Sequence, residues 1–178
     1  RTLLTGPASI LQDLTFGEFR RASAALNSFF KSGDVADLDE CIAHLYRRPA
    51  ARPNRAGRKV KPFDSNTFAS DIKVAATLSS WQKNLIMMWF SSCIGFLQSG
   101  TIMLNGEEVD LGKLFGKEDG EKGPAFTWND LLVQLSRDNS IGNMDRVDEE
   151  PLFSVLSIMW TNHKENLRYE KASKSQQS

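Results

Sequence analysis

Between Trp81 and Leu97 the chain carries its most apolar stretch, and the spacing of the large residues there reads as a helix. Trp81, Leu85, Met88, Trp89 and Ser92 fall on one face at three- and four-residue intervals. Ile86, Phe90, Cys93, Ile94 and Leu97 fall on the neighbouring face. Ser79 or Ser80 is placed to cap the start. A helix apolar over so wide an arc is expected to be the central helix of its domain, touched by partners on several sides. The run from Leu85 to Leu97 is too short to cross a bilayer, which takes about 20 apolar residues.

The segments before it punctuate themselves as two further helices. Thr15 and Glu18 have capping-box spacing, and Phe16, Phe19, Ala22, Leu26, Phe29 and Phe30 recur at helical intervals until Gly33 stops them. Asp34 is a fitting N-cap for the next helix, with Asp37, Asp39 and Glu40 in its early turns. Val35, Leu38, Ile42 and Leu45 form its stripe. So short a connection makes the pair an antiparallel hairpin. Ahead of them, Gly6-Pro7 breaks the chain, and Ile10, Leu11 and Leu14 suit one helical turn.

Periodicity resumes at Asp64 or Ser65 through Phe68, Ile72 and Ala75. After the apolar helix, Asn105-Gly106 between short apolar runs signals a two-residue β-hairpin over residues 101–111, a plain loop being the alternative. Gly112–Gly123 reads as a loop. Thr127 and Asp130 repeat capping-box spacing ahead of Trp128, Leu131, Leu132 and Leu135. Pro151 then opens a last helix carrying Leu152, Val155, Leu156, Met159, Trp160, His163 and Leu167, with Asp148, Glu149 and Glu150 at its positive end. The expected fold is mainly α: a single helical domain over residues 1–172, a bundle of about five to six helices with the small hairpin, and a frayed tail at 173–178.

Between Arg47 and Pro62 stand seven basic residues, no acidic ones and three prolines. Prolines bar a continuous helix and the composition bars a core, so an exposed, mobile loop of about fifteen residues is expected. Arg47, Arg48, Arg52, Arg55, Arg58, Lys59 and Lys61 are its candidate contact residues. They suit an acidic protein neighbour, the phosphates of a nucleic acid, or only solvent. The loop has no aromatic residue to stack on bases, and the whole chain is formally neutral. That neutrality hides an asymmetry: residues 1–100 hold 13 Lys and Arg against 8 Asp and Glu, residues 101–178 hold 9 against 14. Such halves can pack together or stack head to tail on copies of the chain, and chance scatter is the third reading.

Signals of chemistry are weak. There is no P-loop or dinucleotide fingerprint. Cys41 and His44 stand one helical turn apart with nothing near to complete a metal site, and Cys93 and His163 lie on other helices. Cys41 and Cys93 are expected as buried free thiols of a reducing compartment. Neither histidine stands in a motif that would activate a nucleophile. The acidic groups Glu107, Glu108 and Asp110, and Asp145, Asp148, Glu149 and Glu150, are better placed beside a turn and at a helix end than as acid–base pairs. We therefore expect no enzyme, no cofactor and no metal. The chain shows no signal-peptide pattern and opens on Arg1, which is expected of a processed chain or part of a longer one.

Three stretches resemble small helical proteins encoded among the tail and virion genes of Bacteroidetes phages and prophages. They are Leu14-Thr-Phe-Gly-Glu-Phe19 with the hairpin ending in Leu45-Tyr-Arg-Arg-Pro49; the Trp89-Phe90, Cys93 and Phe96-Leu97 helix; and Thr127-Trp-Asn-Asp-Leu-Leu-Val-Gln-Leu135 with Val147 and Pro151-Leu-Phe-Ser-Val-Leu156. The basic loop and the Asn105-Gly106 turn are not part of that pattern. The resemblance implies a tail assembly chaperone or another virion-assembly component, without catalytic residues. It would work in the host cytoplasm or in the virion by binding other tail or virion proteins, or copies of itself.

Overall fold

A computed structural model describes residues 3–115, 127–137 and 141–176. It is mainly helical, with seven α-helices and one two-stranded antiparallel sheet among the described residues.

Helices α1 (Phe16–Ser32) and α2 (Val35–Leu45) start and stop where their capping residues dictate. Glu18 N donates to Thr15 Oγ1 and Thr15 N donates to the Glu18 carboxylate at 3.0 Å, so the capping box closes both ways. Gly33 takes the left-handed conformation at φ 73°, and its N–H returns to Phe29 O. Asp34 then accepts from Ala36 N at 2.9 Å. The two-residue turn folds α2 onto α1, and this pair holds the centre of the core. Phe16, Phe19, Ala22 and Leu26 from α1 and Ile42, Ala43 and Leu45 from α2 are fully buried. Phe19 sits edge-on to Phe90 and to Trp128 at centroid distances of 6.1 and 4.7 Å, so α1 gathers later helices around one ring.

Helix α3 (Phe68–Ala76) starts later than its periodicity predicts, because Asp64 turns the preceding residues by accepting from Asn66 N and the Thr67 hydroxyl. Helix α4 (Ser80–Ser99) opens with the Gln82 side chain accepting from Ser79 N at 3.0 Å. The expectation that α4 is the central helix is corrected. Phe90, Leu97 and Lys83 are its buried residues, and one flank faces solvent. The helix packs on α2 through an ion pair between buried Lys83 and Asp39.

The hairpin forms as expected. Strands β1 (Thr101–Leu104) and β2 (Glu107–Asp110) pair with Ile102 opposite Val109, turning through Asn105 and Gly106 at φ 52° and 83°. Ile102, Leu104 and Val109 point inward, while Glu107 reaches the last helix of the chain and accepts from Trp160 Nε1 and Lys164 Nζ. Lys164, then Trp160, hold the Glu107 carboxyl below its ordinary pKa. A 3₁₀ turn covers Leu111–Phe115; the rest of the expected Gly112–Gly123 loop lies outside the described residues.

Helix α5 (Trp128–Arg137) has the expected Thr127–Asp130 capping box. An unexpected short helix, α6 (Met144–Glu149), follows with Asn143 as its cap, and α7 (Leu152–Gln176) closes the chain. Helix α7 runs through Gln176, past the point where a frayed tail is expected. No Gly or Pro interrupts it, and its Lys, Glu, Ala and Gln residues are good helix formers. The start of α7 is fixed by residues 14–16, with Phe16 N donating to Glu150 O and Leu152 N donating to Leu14 O.

Candidate protein-binding surface

The basic segment is folded down onto the domain, against the expectation of a wholly exposed loop. Thr5 and Arg47 exchange backbone hydrogen bonds, and Pro49 and Val60 form a second isolated bridge. Asn54 closes the bend by accepting from Arg58 N at 2.9 Å. Val60 is buried, and so are the side chains of Arg47 and Arg58. Arg47 Nη2 donates to Pro62 O at 2.8 Å. The Arg58 guanidinium donates to Thr5 O and to Leu45 O, the last residue of α2, with Glu18 at 4.0 Å. It therefore serves as a cationic C-cap for α2 and as a tie to the N-terminal segment. Burial lowers the pKa of both guanidiniums, and the Glu18 charge opposes that shift.

Two more of the seven are also paired: Arg48 with Asp71 at 3.0 Å and Arg55 with Glu150 at 2.8 Å. Arg52, Lys59 and Lys61 remain exposed and without an ion pair among the described residues. Three cations neutralise about three phosphates. The logarithm of any DNA affinity should then fall with log salt at a slope no steeper than about −3. Fluorescence anisotropy on a duplex checks this, and a slope near −6 would mean that the paired arginines also leave their partners.

The charge asymmetry is used inside the chain. Arg20 and Arg21 of α1 meet Asp148 of α6 at 2.7 and 2.8 Å, and Arg55 meets Glu150. The acidic run before Pro151, expected as a helix-end cluster, anchors α6 to the basic first half. Glu18, Arg21, Asn54, Arg55, Asp145 and Asp148 line a cleft of about 640 Å³ between these elements. Its lining holds two cations, Arg21 and Arg55, against four carboxylates, Glu18, Asp145, Asp148 and Glu149, and both cations are held in ion pairs, Arg21 with Asp148 and Arg55 with Glu150.

His44 and Cys41 are buried on α2, and burial pushes the Cys41 thiol above its ordinary pKa. The His44 ring stacks on Phe68 at 4.2 Å. Burial, then Arg21, Arg47 and Arg20, pull its pKa down to about 3. Cys93 is half-buried rather than buried, its Sγ 3.6 Å from Ser9 O. Among the described residues no group of three His, Cys, Asp or Glu converges as metal ligands, and no helix is long and apolar enough to cross a membrane.

The surface that stands out is the outward flank of α4. Trp81 is 65% exposed, Leu85 53%, Met88 62% and Phe96 40%. Ser92, Gly95 and Ser99 continue the same exposed line. The single charge between Ser80 and Ser99 is Lys83, which is turned inward onto Asp39. A flank of four large apolar side chains with no charge is unlike a solvated helix face, where polar residues dominate. A contiguous apolar patch of this kind marks a candidate interaction site.

Comparison with protein-family models, curated proteins and solved structures finds no match to this chain.

Residues singled out for contact in the sequence and residues presented for contact in the structure differ. Of the basic set, Arg47, Arg48, Arg55 and Arg58 are brought together as internal ties, and Arg52, Lys59 and Lys61 stay outside. Their spacing puts Trp81, Leu85 and Met88 on one helical face, which the apolar character of the helix places in the core and the structure places in solvent. The signal that separates the two readings is the partner of Lys83, and Asp39 lies too far off in sequence for any periodicity to reveal it.

Proposed function

We propose that the protein is a non-enzymatic binding component, acting through protein–protein contacts made by the apolar flank of α4. One observation carries this reading: four large apolar side chains stand exposed on a helix whose only charge is buried. A domain that folds with such a flank in water gains most by covering it with another protein surface. Together with the three stretches that resemble phage tail and virion proteins, this favours a role in tail or virion assembly. The partners would be other virion components or copies of the chain.

The test is affinity capture from phage-producing cells, with the retained proteins identified by mass spectrometry. The wild-type chain should retain tail or capsid components, and Met88→Glu, which places a charge at the centre of the flank, should lose them. Retention of no virion protein would remove the assembly role. Equal retention by both proteins would remove α4 as the binding surface.

Nucleic-acid binding through residues 47–61 is the weaker reading, since four of the seven cations are already committed within the fold.

A further inference from the structure

The order of side chains along the α4 flank is more specific than its apolar character. Trp81, Leu85, Met88, Ser92, Gly95 and Ser99 follow one another at alternating four- and three-residue steps, the spacing of a coiled-coil seam, and all six are exposed. The first three are large and the last three are small. If two copies of the helix are laid antiparallel about a twofold axis, Trp81 of one faces Ser99 of the other, Leu85 faces Gly95, and Met88 faces Ser92. Every large side chain meets a small one, and the three pairs recur on both sides of the axis, as an isologous interface requires. In a parallel pair, Trp81 would meet Trp81, and Ser99 would meet Ser99 across a gap.

The fit extends to the surroundings. Beside Ser92 lies a crevice of about 190 Å³ lined by Ser9, Ile10, Trp89, Ser92, Cys93 and Phe96. The antiparallel register aims Met88 of the second copy into it, where the thioether meets aromatic rings. A Cβ built on Gly95 meets nothing within 4 Å, so the position is open to an approaching helix. No like charges oppose one another along the seam, because Lys83 points the other way. A standard interface buries about 800 Å² per partner, a little over half of it apolar. Trp81, Leu85 and Met88, each more than half exposed, are the large apolar side chains the flank brings to that share.

We propose that the occupant of the α4 flank is a second copy of the chain, paired antiparallel through Trp81, Leu85, Met88, Ser92, Gly95 and Ser99. This rests on the reading of α4 as the binding surface and goes beyond it by fixing the partner and the register.

Sedimentation equilibrium on the full chain at 10–100 µM, with loading over about a tenfold range, reads the outcome directly. The wild type should have twice the 19.9 kDa chain mass. Gly95→Leu fills the position opposite Leu85 and should return the mass to that of one chain, with unchanged circular dichroism, because the site is open and Leu is the better helix former. Register is tested by oxidising an equimolar mixture of Leu85→Cys and Gly95→Cys proteins, each carrying Cys93→Ala, with oxidised glutathione. A disulfide between the two different chains is expected. Homodimeric disulfides within each variant alone would instead show the parallel register and overturn the proposal.

A wild-type chain that stays monomeric at 100 µM overturns it too, as does a dimer whose mass Gly95→Leu leaves intact. The capture experiment keeps the two readings apart. A monomer that still loses its virion partners on Met88→Glu defeats the self-pairing alone, and a monomer whose captured partners ignore that change defeats both.

Discussion

Replacing Arg58 by Ala should cost about 3–5 kcal/mol of stability, more than any other change in the basic segment. The guanidinium is buried, it donates to Leu45 O at the end of α2 and to Thr5 O in the N-terminal segment, and Glu18 lies 4.0 Å away. Its removal strands two carbonyls and takes the nearest cation from a buried carboxylate. For a chain of this size each kcal/mol shifts Tm by about 2–4 °C, so thermal denaturation followed by circular dichroism should show a fall of about 6–20 °C. Arg58→Lys should recover only part of it, because both carbonyls are held by Nη2, one bond beyond the reach of a lysine Nζ, and an ammonium has no second nitrogen to face Glu18. Arg52→Ala, at an exposed position a few residues away, should stay within about 0.5 kcal/mol of wild type. Equal, small effects at Arg52 and Arg58 would mean that residues 47–62 are not a packed strap.

That contrast between two arginines shows where sequence reasoning stops. Composition treats Arg52 and Arg58 alike: seven cations, three prolines and no acids read as a solvated arm. What separates them is the bend between the Pro49–Val60 bridge, which turns Arg58 toward a helix end and leaves Arg52 outside. Local signals fared better wherever the partner lay within four residues. The Thr15–Glu18 box, the Asp34 cap, the Gly33 stop and the Asn105-Gly106 turn all form, because each is a contact between near neighbours that the chain makes in any surroundings. Helix α6 is not legible in the sequence because six residues are too few to show a period.

Helix α4 is the opposite case. Its periodicity is plain, but of the two apolar faces expected to be covered, the one carrying Trp81, Leu85 and Met88 stands in solvent. An amphipathic helix is oriented by its charges, and on that rule Lys83 should mark the wet face. Asp39 inverts the rule: paired with it, the ammonium lies inside and the Trp81–Met88 flank lies outside. A long-range ion pair therefore decides which surface is left for a partner.

Acid should destabilise the fold well before its carboxylates titrate, and His44 is the reason. Unfolded, the imidazole takes up a proton near pH 6.5. Folded, it is buried against Phe68 with its pKa pulled down to about 3, by burial first and then by Arg21, Arg47 and Arg20. The exposed Glu40 carboxylate, 3.9 Å from Nε2, and Asp37 beside the same crevice do not offset them. Between those two values the unfolded state holds one more proton than the folded state, so stability rises with pH and is lost as pH falls through the window. The slope is about 1.4 kcal/mol per pH unit, which amounts to about 2.5 kcal/mol between pH 7 and pH 4.5 and a fall in Tm of about 5–10 °C. Free Asp and Glu titrate at about 4, so the upper part of the window belongs to the histidine. His44→Gln keeps a polar side chain of similar size without a titrating group, and His163 remains in both proteins. The variant should start less stable at pH 7 and show a flatter Tm profile between pH 6.5 and 4.5. A wild-type profile as flat as the variant's would mean that the folded domain accepts the proton, and that the ring is not enclosed among those three guanidiniums.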